Sequence, residues 1–107
     1  MAKYDITKEA AEDLYRIWAY TVDTWSEEQA DTYYALLSSG MEEVAASPAT
    51  IGKPYDEILP GLRAYHVRRH MLFFTVQPNG RALIARILHE RMDYAHHFSA
   101  WPTLSLQ

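Results

Sequence analysis

The apolar residues of this chain repeat with one period before residue 47 and with another after residue 61, and that switch leaves few architectures open. Ala11, Leu14, Ile17, Trp18, Thr21, Val22 and Trp25 follow the i, i+3, i+4, i+7 series of a helix with one buried face. Thr7, just before Lys8 and Glu9, is a suitable N-cap, so the first helix is expected from there to about Trp25. Glu12, Asp13, Arg16 and Asp23 are expected on its wet side. Ser26 to Gln29 has the spacing of a capping box, which starts a second helix immediately. Its stripe is Ala30, Tyr33, Tyr34, Leu37, Met41, Val44 and Ala45, and Pro48 stops it after Ala46. Gly40 inside that helix is unfavourable by roughly 1 kcal/mol relative to alanine, which points to a close helix crossing. With almost no loop between them, the helices should form an antiparallel hairpin.

Residues 47 to 61 hold Pro48, Gly52, Pro54, Pro60 and Gly61 and read as an ordered loop. Beyond it Leu62 to Val67 alternates and Met71 to Val76 is a continuous apolar run. Pro78, Asn79 and Gly80 then mark a turn, and Ala82 to Leu88 is again strand-like. Three antiparallel strands follow, the middle one covered on both faces, by the helices and by something else. Residues 2 to 6 alternate weakly and fit one more short strand. The fold class is α+β, an N-terminal helical hairpin on a small antiparallel sheet. At 107 residues there is room for one domain, expected over residues 1–98, with a tail at 99–107 that carries Trp101 and Pro102 without periodicity.

A cysteine-free chain has no disulfide framework, thiolate metal site or thiol nucleophile. The start resembles no signal peptide, and no apolar run approaches the roughly 20 residues that cross a bilayer. A cytoplasmic protein without membrane association is expected. Net charge is −4, but it is unevenly laid out. Residues 1–52 hold Lys3, Lys8 and Arg16 against a large excess of Asp and Glu. The rest holds Lys53, Arg63, Arg68, Arg69, Arg81, Arg86 and Arg91 against Asp56, Glu57, Glu90 and Asp93. Arginine suits bidentate pairing with carboxylate or phosphate, so the second half points to an anionic partner. The other reading is that the acidic helices simply complement a basic sheet within one molecule.

One string carries more. Pro60, Gly61, Leu62, Arg63 is followed by Arg69, His70, Met71, Leu72, Phe73, Phe74, and then by Arg86, Ile87, Leu88, His89, Glu90, Arg91, Met92, Asp93. With Trp18, Trp25, Gln29 and Ala30 in the helices and Pro48 and Gly52 in the loop, the chain resembles the ParE branch of the RelE/ParE toxin superfamily over roughly residues 3 to 98. The resemblance implies the RelE/ParE-like α+β fold, and a toxin that a ParD-like antitoxin holds inactive in a toxin–antitoxin hetero-oligomer. It further implies DNA gyrase as the target, reached by binding rather than by catalysis. Direct nucleic-acid binding by the toxin alone is not expected, and no cofactor is implied.

Arg63, in the "GLR" motif, is either a contact to antitoxin or target, or a structural arginine paired with Asp93, Glu90 or backbone carbonyls. Arg86 shares strand period with Ile84 and Leu88, an expensive place for a lone charge, and needs a carboxylate from an antitoxin or from within. Arg68, Arg69, Arg91 and Trp101 complete the candidate binding set. Five histidines raise the question of a metal. His66 and His70 in a straight strand would stand about 13 Å apart, and although a turn at Arg68 and Arg69 would shorten this, no third ligand is evident. The rival enzyme is a ribosome-dependent messenger RNA endoribonuclease of the RelE type, with Arg63 or Arg86 as the phosphate cation and His89 and Tyr94 as proton carriers. Yet the lysine-rich segment such nucleases use on ribosomal RNA is missing, Lys53 being the only lysine after residue 8. A non-toxic remnant that still binds an antitoxin is the third class. Tyr15, Trp18, Tyr33 and Tyr34 are expected in the core on spacing grounds.

Overall fold

The computed structural model describes residues 3–99. After a short strand β1 (Asp5–Ile6), Thr7 opens helix α1 (Lys8–Thr24) by accepting the N–H of Ala10 on its side-chain oxygen. The same hydroxyl donates to the carbonyl of Ala85, 78 residues away, at 2.7 Å, and Thr7 is buried. One side chain thus caps a helix and ties it to the sheet. Ser26 accepts the N–H of Gln29 and opens helix α2 (Glu27–Ala46). The described helices include none long and apolar enough to cross a membrane.

The second half supplies β2 (Lys53–Pro54), β3 (Arg63–Val67), β4 (His70–Val76) and β5 (Ala82–His89), and a 3-10 turn at Ala95–Phe98. The sheet has five strands in the order β1-β5-β4-β3-β2, antiparallel except for β1, which runs parallel to β5. The three expected strands are its centre, the short strand expected within residues 2–6 is the edge strand β1, and the two-residue edge β2 lies inside the segment expected as loop. Leu14, Leu37, Met41 and Val44 of the helices pack on Leu72, Phe74, Ile84 and Ile87 of one sheet face. The other face buries Leu62, Ala64, Met71, Phe73, Leu88 and Phe98 under Tyr55, Ile58, Leu59 and Tyr94. The second cover of β4 is therefore the loop before β3 and the turn after β5.

Three expectations need correction. Asp13 is not on the wet side of α1: it is 7% exposed, and the buried arc of the helix runs through Ala10, Asp13 and Leu14. Gly40 does not mark a helix crossing. A β-carbon there would lie 2.7 Å from Cγ2 of Val67 and 3.1 Å from Cδ1 of Leu72, so the close approach is helix to sheet. Finally, Ile84, Arg86 and Leu88 do not share one face. Phe73 pairs with Arg86 while Phe74 pairs with Ile84, leaving Ala85 as an extra residue. That bulge resets the alternation, so Ile84 joins the core under the helices and Leu88 the opposite one.

Candidate functional site

Sorting the arginines by what each guanidinium touches divides the candidate set. Arg63 starts β3 and turns back onto the loop before it. Its Nε donates to the carbonyl of Ile51 at 3.1 Å, and one terminal nitrogen donates to the carbonyls of Thr50, Ile51 and Gly52 at 3.0–3.3 Å. Of the partners open to it in the sequence, the backbone carbonyls are the ones present. Gly52 makes this possible: its φ is +76°, and a β-carbon there would meet the carbonyl oxygen of Ala64 at 2.3 Å. Arg86 is held by Asp13 in a bidentate pair, Nε to Oδ2 at 2.8 Å and a terminal nitrogen to Oδ1 at 2.9 Å. Asp13 Oδ2 also accepts the N–H of Ile87, beyond the end of β1, so it closes the open edge of β5 as well. The hydrogen bonds that Arg86 donates to Asp13 raise its pKa against an opposing effect of burial. Arg81 pairs with Asp5 at 3.2 Å, joining the β4–β5 turn to β1.

Arg68, Arg69 and Arg91 are different. All three are exposed, and none of their guanidinium groups makes a hydrogen bond or ion pair among the described residues. They also share one end of the sheet. Val67 pairs with His70, so Arg68 and Arg69 form a two-residue hairpin turn. His89 lies opposite His70 on the next strand, and Arg91 follows it. The N–H of Glu90 donates to the carbonyl of Arg69, which fastens the Arg91 segment to the turn.

This arginine end has a rigid floor. His70 is half-buried under α2, and burial first, with a smaller push from His89, lowers its pKa from 6.5 to about 4. It is neutral at pH 7. The hydroxyl of Tyr33 accepts the backbone N–H of Arg69 at 3.2 Å and stands 2.7 Å from Nδ1 of His70. In the tautomer with the ring proton on Nε2, this hydroxyl accepts from Arg69 and donates to Nδ1. Helix α2 thereby holds the turn by its own backbone. On the opposite sheet face, Nε2 of His66 meets Oε1 of Glu90 at 3.0 Å. The turn that shortens the path from His66 to His70 does not unite them, since they lie on different faces and hold different partners. No three His, Asp or Glu side chains stand at metal-binding distance among the described residues.

The residues of the nuclease alternative do not converge. Arg63 shares a rung with Phe74 and Ile84, whereas His89 lies opposite His70, four rungs further along the sheet, about 13 Å at 3.3 Å per residue. Nδ1 of His89 accepts the N–H of Arg91. Tyr94 packs on Phe73 and Tyr55 in the second core, and its hydroxyl donates to the carbonyl of Glu90. Trp101, and the tail after Ser99, lie outside the described residues.

Reasoning from spacing missed a second surface. Tyr15 and Tyr34 are 66% and 46% exposed, and Trp25, at the end of the expected stripe, is 70% exposed. Trp18 and Tyr33 are half-buried. The available signal was quantity: a two-helix hairpin over a small sheet has more large rings on its stripes than one sheet face covers.

Residues 4–94 match the family described as the ParE toxin of the type II toxin-antitoxin system parDE. A protein called toxin ParE1 from Mycobacterium tuberculosis is 37% identical over 92 residues, 86% of this chain and 93% of that one. Toxin ParE from Escherichia coli is also 37% identical, over 93 residues, 87% of this chain and 89% of that one. The fold matches a chain of a solved chromosomal ParDE toxin–antitoxin system from P. aeruginosa, with a TM-score of 0.71 and 22% identity over 78% of this chain and 90% of that one.

Proposed function

The chain belongs to the ParE toxin family of type II toxin–antitoxin systems, and from that premise we propose that it stops growth by binding DNA gyrase through its arginine end. A ParD-like antitoxin neutralises it by covering the same end. The observation that carries this reading is the division among the arginines: Arg63, Arg81 and Arg86 serve the fold, and the guanidinium groups of Arg68, Arg69 and Arg91 have no partner among the described residues, on a braced turn. Free guanidinium groups on a rigid base are suited to carboxylates, because the planar fork makes two parallel hydrogen bonds and little side-chain freedom is lost in doing so. An acidic antitoxin segment and an acidic patch of gyrase would therefore compete for one surface. Action in this reading is by occupancy in the cytoplasm, without a catalytic step and without direct nucleic-acid binding by the toxin alone. What supports the non-enzymatic part is the separation of Arg63, His89 and Tyr94.

The test is a supercoiling and DNA-cleavage assay with purified gyrase. Inhibited supercoiling and accumulated cleaved DNA are expected, both reversed by the product of a neighbouring short reading frame with a ribbon-helix-helix pattern and an acidic tail. Unchanged gyrase at concentrations that stop growth would sink the target. Codon-positioned cuts in messenger RNA, abolished by His89→Ala or Tyr94→Ala, would replace it with the nuclease.

A further inference from the structure

Three rings from three different elements lie in a row beneath the arginine end. Tyr33 of α2 meets His70 of β4 edge-on at 5.5 Å between ring centroids, and His70 meets His89 of β5 in the same way at 5.4 Å. The Tyr33 hydroxyl and Nδ1 of His70 are 2.7 Å apart, which ties the first two together. Each end of the row accepts a backbone N–H from an arginine. The Tyr33 hydroxyl takes that of Arg69 at 3.2 Å, and Nδ1 of His89 takes that of Arg91 at 3.2 Å.

The strand ladder ends at Val67 and His70, so the N–H of Arg69 has no strand partner, and Tyr33 supplies the acceptor. The carbonyl of Arg69 is taken as well, by the N–H of Glu90 at 2.9 Å. Both polar groups of one turn peptide are thus held, one from α2 and one from the segment that carries Arg91. Arg68 beside it keeps φ 56°, a conformation that persists in an L-residue when its surroundings enforce it.

A frayed turn would still present three positive charges, and an acidic surface would still be drawn to them. What a held backbone adds is a fixed distance between Arg69 and Arg91. Each planar guanidinium can take one carboxylate through two parallel hydrogen bonds, and two forks set at a constant separation bind two carboxylates without first having to be ordered. We propose that Tyr33, His70 and His89 are positioning residues, whose row of rings sets the spacing at which Arg69 and Arg91 together engage two carboxylates of the partner. The inference rests on the reading that gyrase is bound at this end. The rings act through the backbone of the arginines and need no contact with gyrase themselves.

Inhibition of gyrase supercoiling, titrated with the full chain and its variants, tests this. Tyr33→Phe keeps a ring in the row and removes only the hydroxyl. It is expected to weaken inhibition at least about fivefold in the parent chain, and less than about twofold when Arg91 is already alanine, because a spacing needs both of its ends. A loss caused by unfolding, or by displacement of Arg69 alone, would be the same in both backgrounds. His89→Phe, with and without Arg69→Ala, probes the other end of the row and should repeat the pattern; it decides the matter if Tyr33→Phe does not fold. Equal losses in the two backgrounds, or no loss in the ring variants, would overturn the inference and leave the arginine end as the gyrase site. Inhibition by Arg69→Ala and Arg91→Ala that equals the parent's would overturn both readings.

Discussion

Arg68 holds a backbone conformation, φ 56°, that an L-residue adopts at a cost of about 1–2 kcal/mol, in a turn where glycine or asparagine is the usual choice. Replacing it with glycine relieves that strain but adds unfolded-state entropy worth about 0.5–1 kcal/mol. Arg68→Gly is therefore expected to leave stability within about 1 kcal/mol of the parent while weakening gyrase inhibition roughly 5–30-fold, the loss of 1–2 kcal/mol typical of an interface arginine. Melting curves and supercoiling titrations of the same preparation check both halves. Arg63→Ala should do the reverse, lowering stability by about 1–3 kcal/mol because three carbonyls of the loop lose their donor. His70 gives a pH prediction. Its folded pKa lies below its unfolded one, so the unfolded chain binds the extra proton and stability is lost as pH falls from about 6.5 toward 4. His70→Asn keeps an acceptor for Tyr33 but does not titrate, so its melting temperature should fall less steeply across that window than the parent's. The residue types at the arginine end were legible in the sequence, but not which guanidinium groups are free, because that depends on Asp5, Asp13 and the loop carbonyls, all distant in the chain.

At the scale of elements, both helix starts were legible because a cap is a local event: Thr7 and Ser26 each bond a backbone N–H three residues on. What Thr7 does to Ala85 was not, nor was the bulge that its hydroxyl holds, since no local pattern announces an extra residue in β5. Thr7→Val removes the cap and leaves a buried carbonyl without a donor, and should cost about 2–3 kcal/mol in denaturant unfolding. Gly40 was noticed for the right reason and given the wrong neighbour. Gly40→Ala gains about 1 kcal/mol of helix propensity, but a β-carbon 2.7 Å from a methyl of the stiff Val67 side chain should outweigh it by 1–2 kcal/mol. Val67→Ala in the same chain removes the clash, so the double variant should recover part of the loss. Because Val67 immediately precedes Arg68, Gly40→Ala alone should also disturb the turn.

In the molecule as a whole, the switch of apolar period near residues 47 to 61 was enough to give two helices on an antiparallel sheet, and the family resemblance covers the same span. The charge split between the halves proved to be two things at once. Part of it is internal: Asp5 and Asp13 of the acidic half meet Arg81 and Arg86 of the basic half. Of the other cations, Lys53 stands over the Tyr55 ring and Arg63 is held by loop carbonyls, and it is Arg68, Arg69 and Arg91 at one end that the proposed function uses. The most direct measurement is inhibition of gyrase supercoiling by the parent chain and by the triple variant Arg68→Ala, Arg69→Ala, Arg91→Ala, with folding matched by circular dichroism and melting temperature. Inhibition that falls at least a hundredfold in the triple variant, with stability retained, is the predicted result. Equal inhibition by the two proteins would contradict the account, because the unpaired arginines would then have no part in what the toxin does.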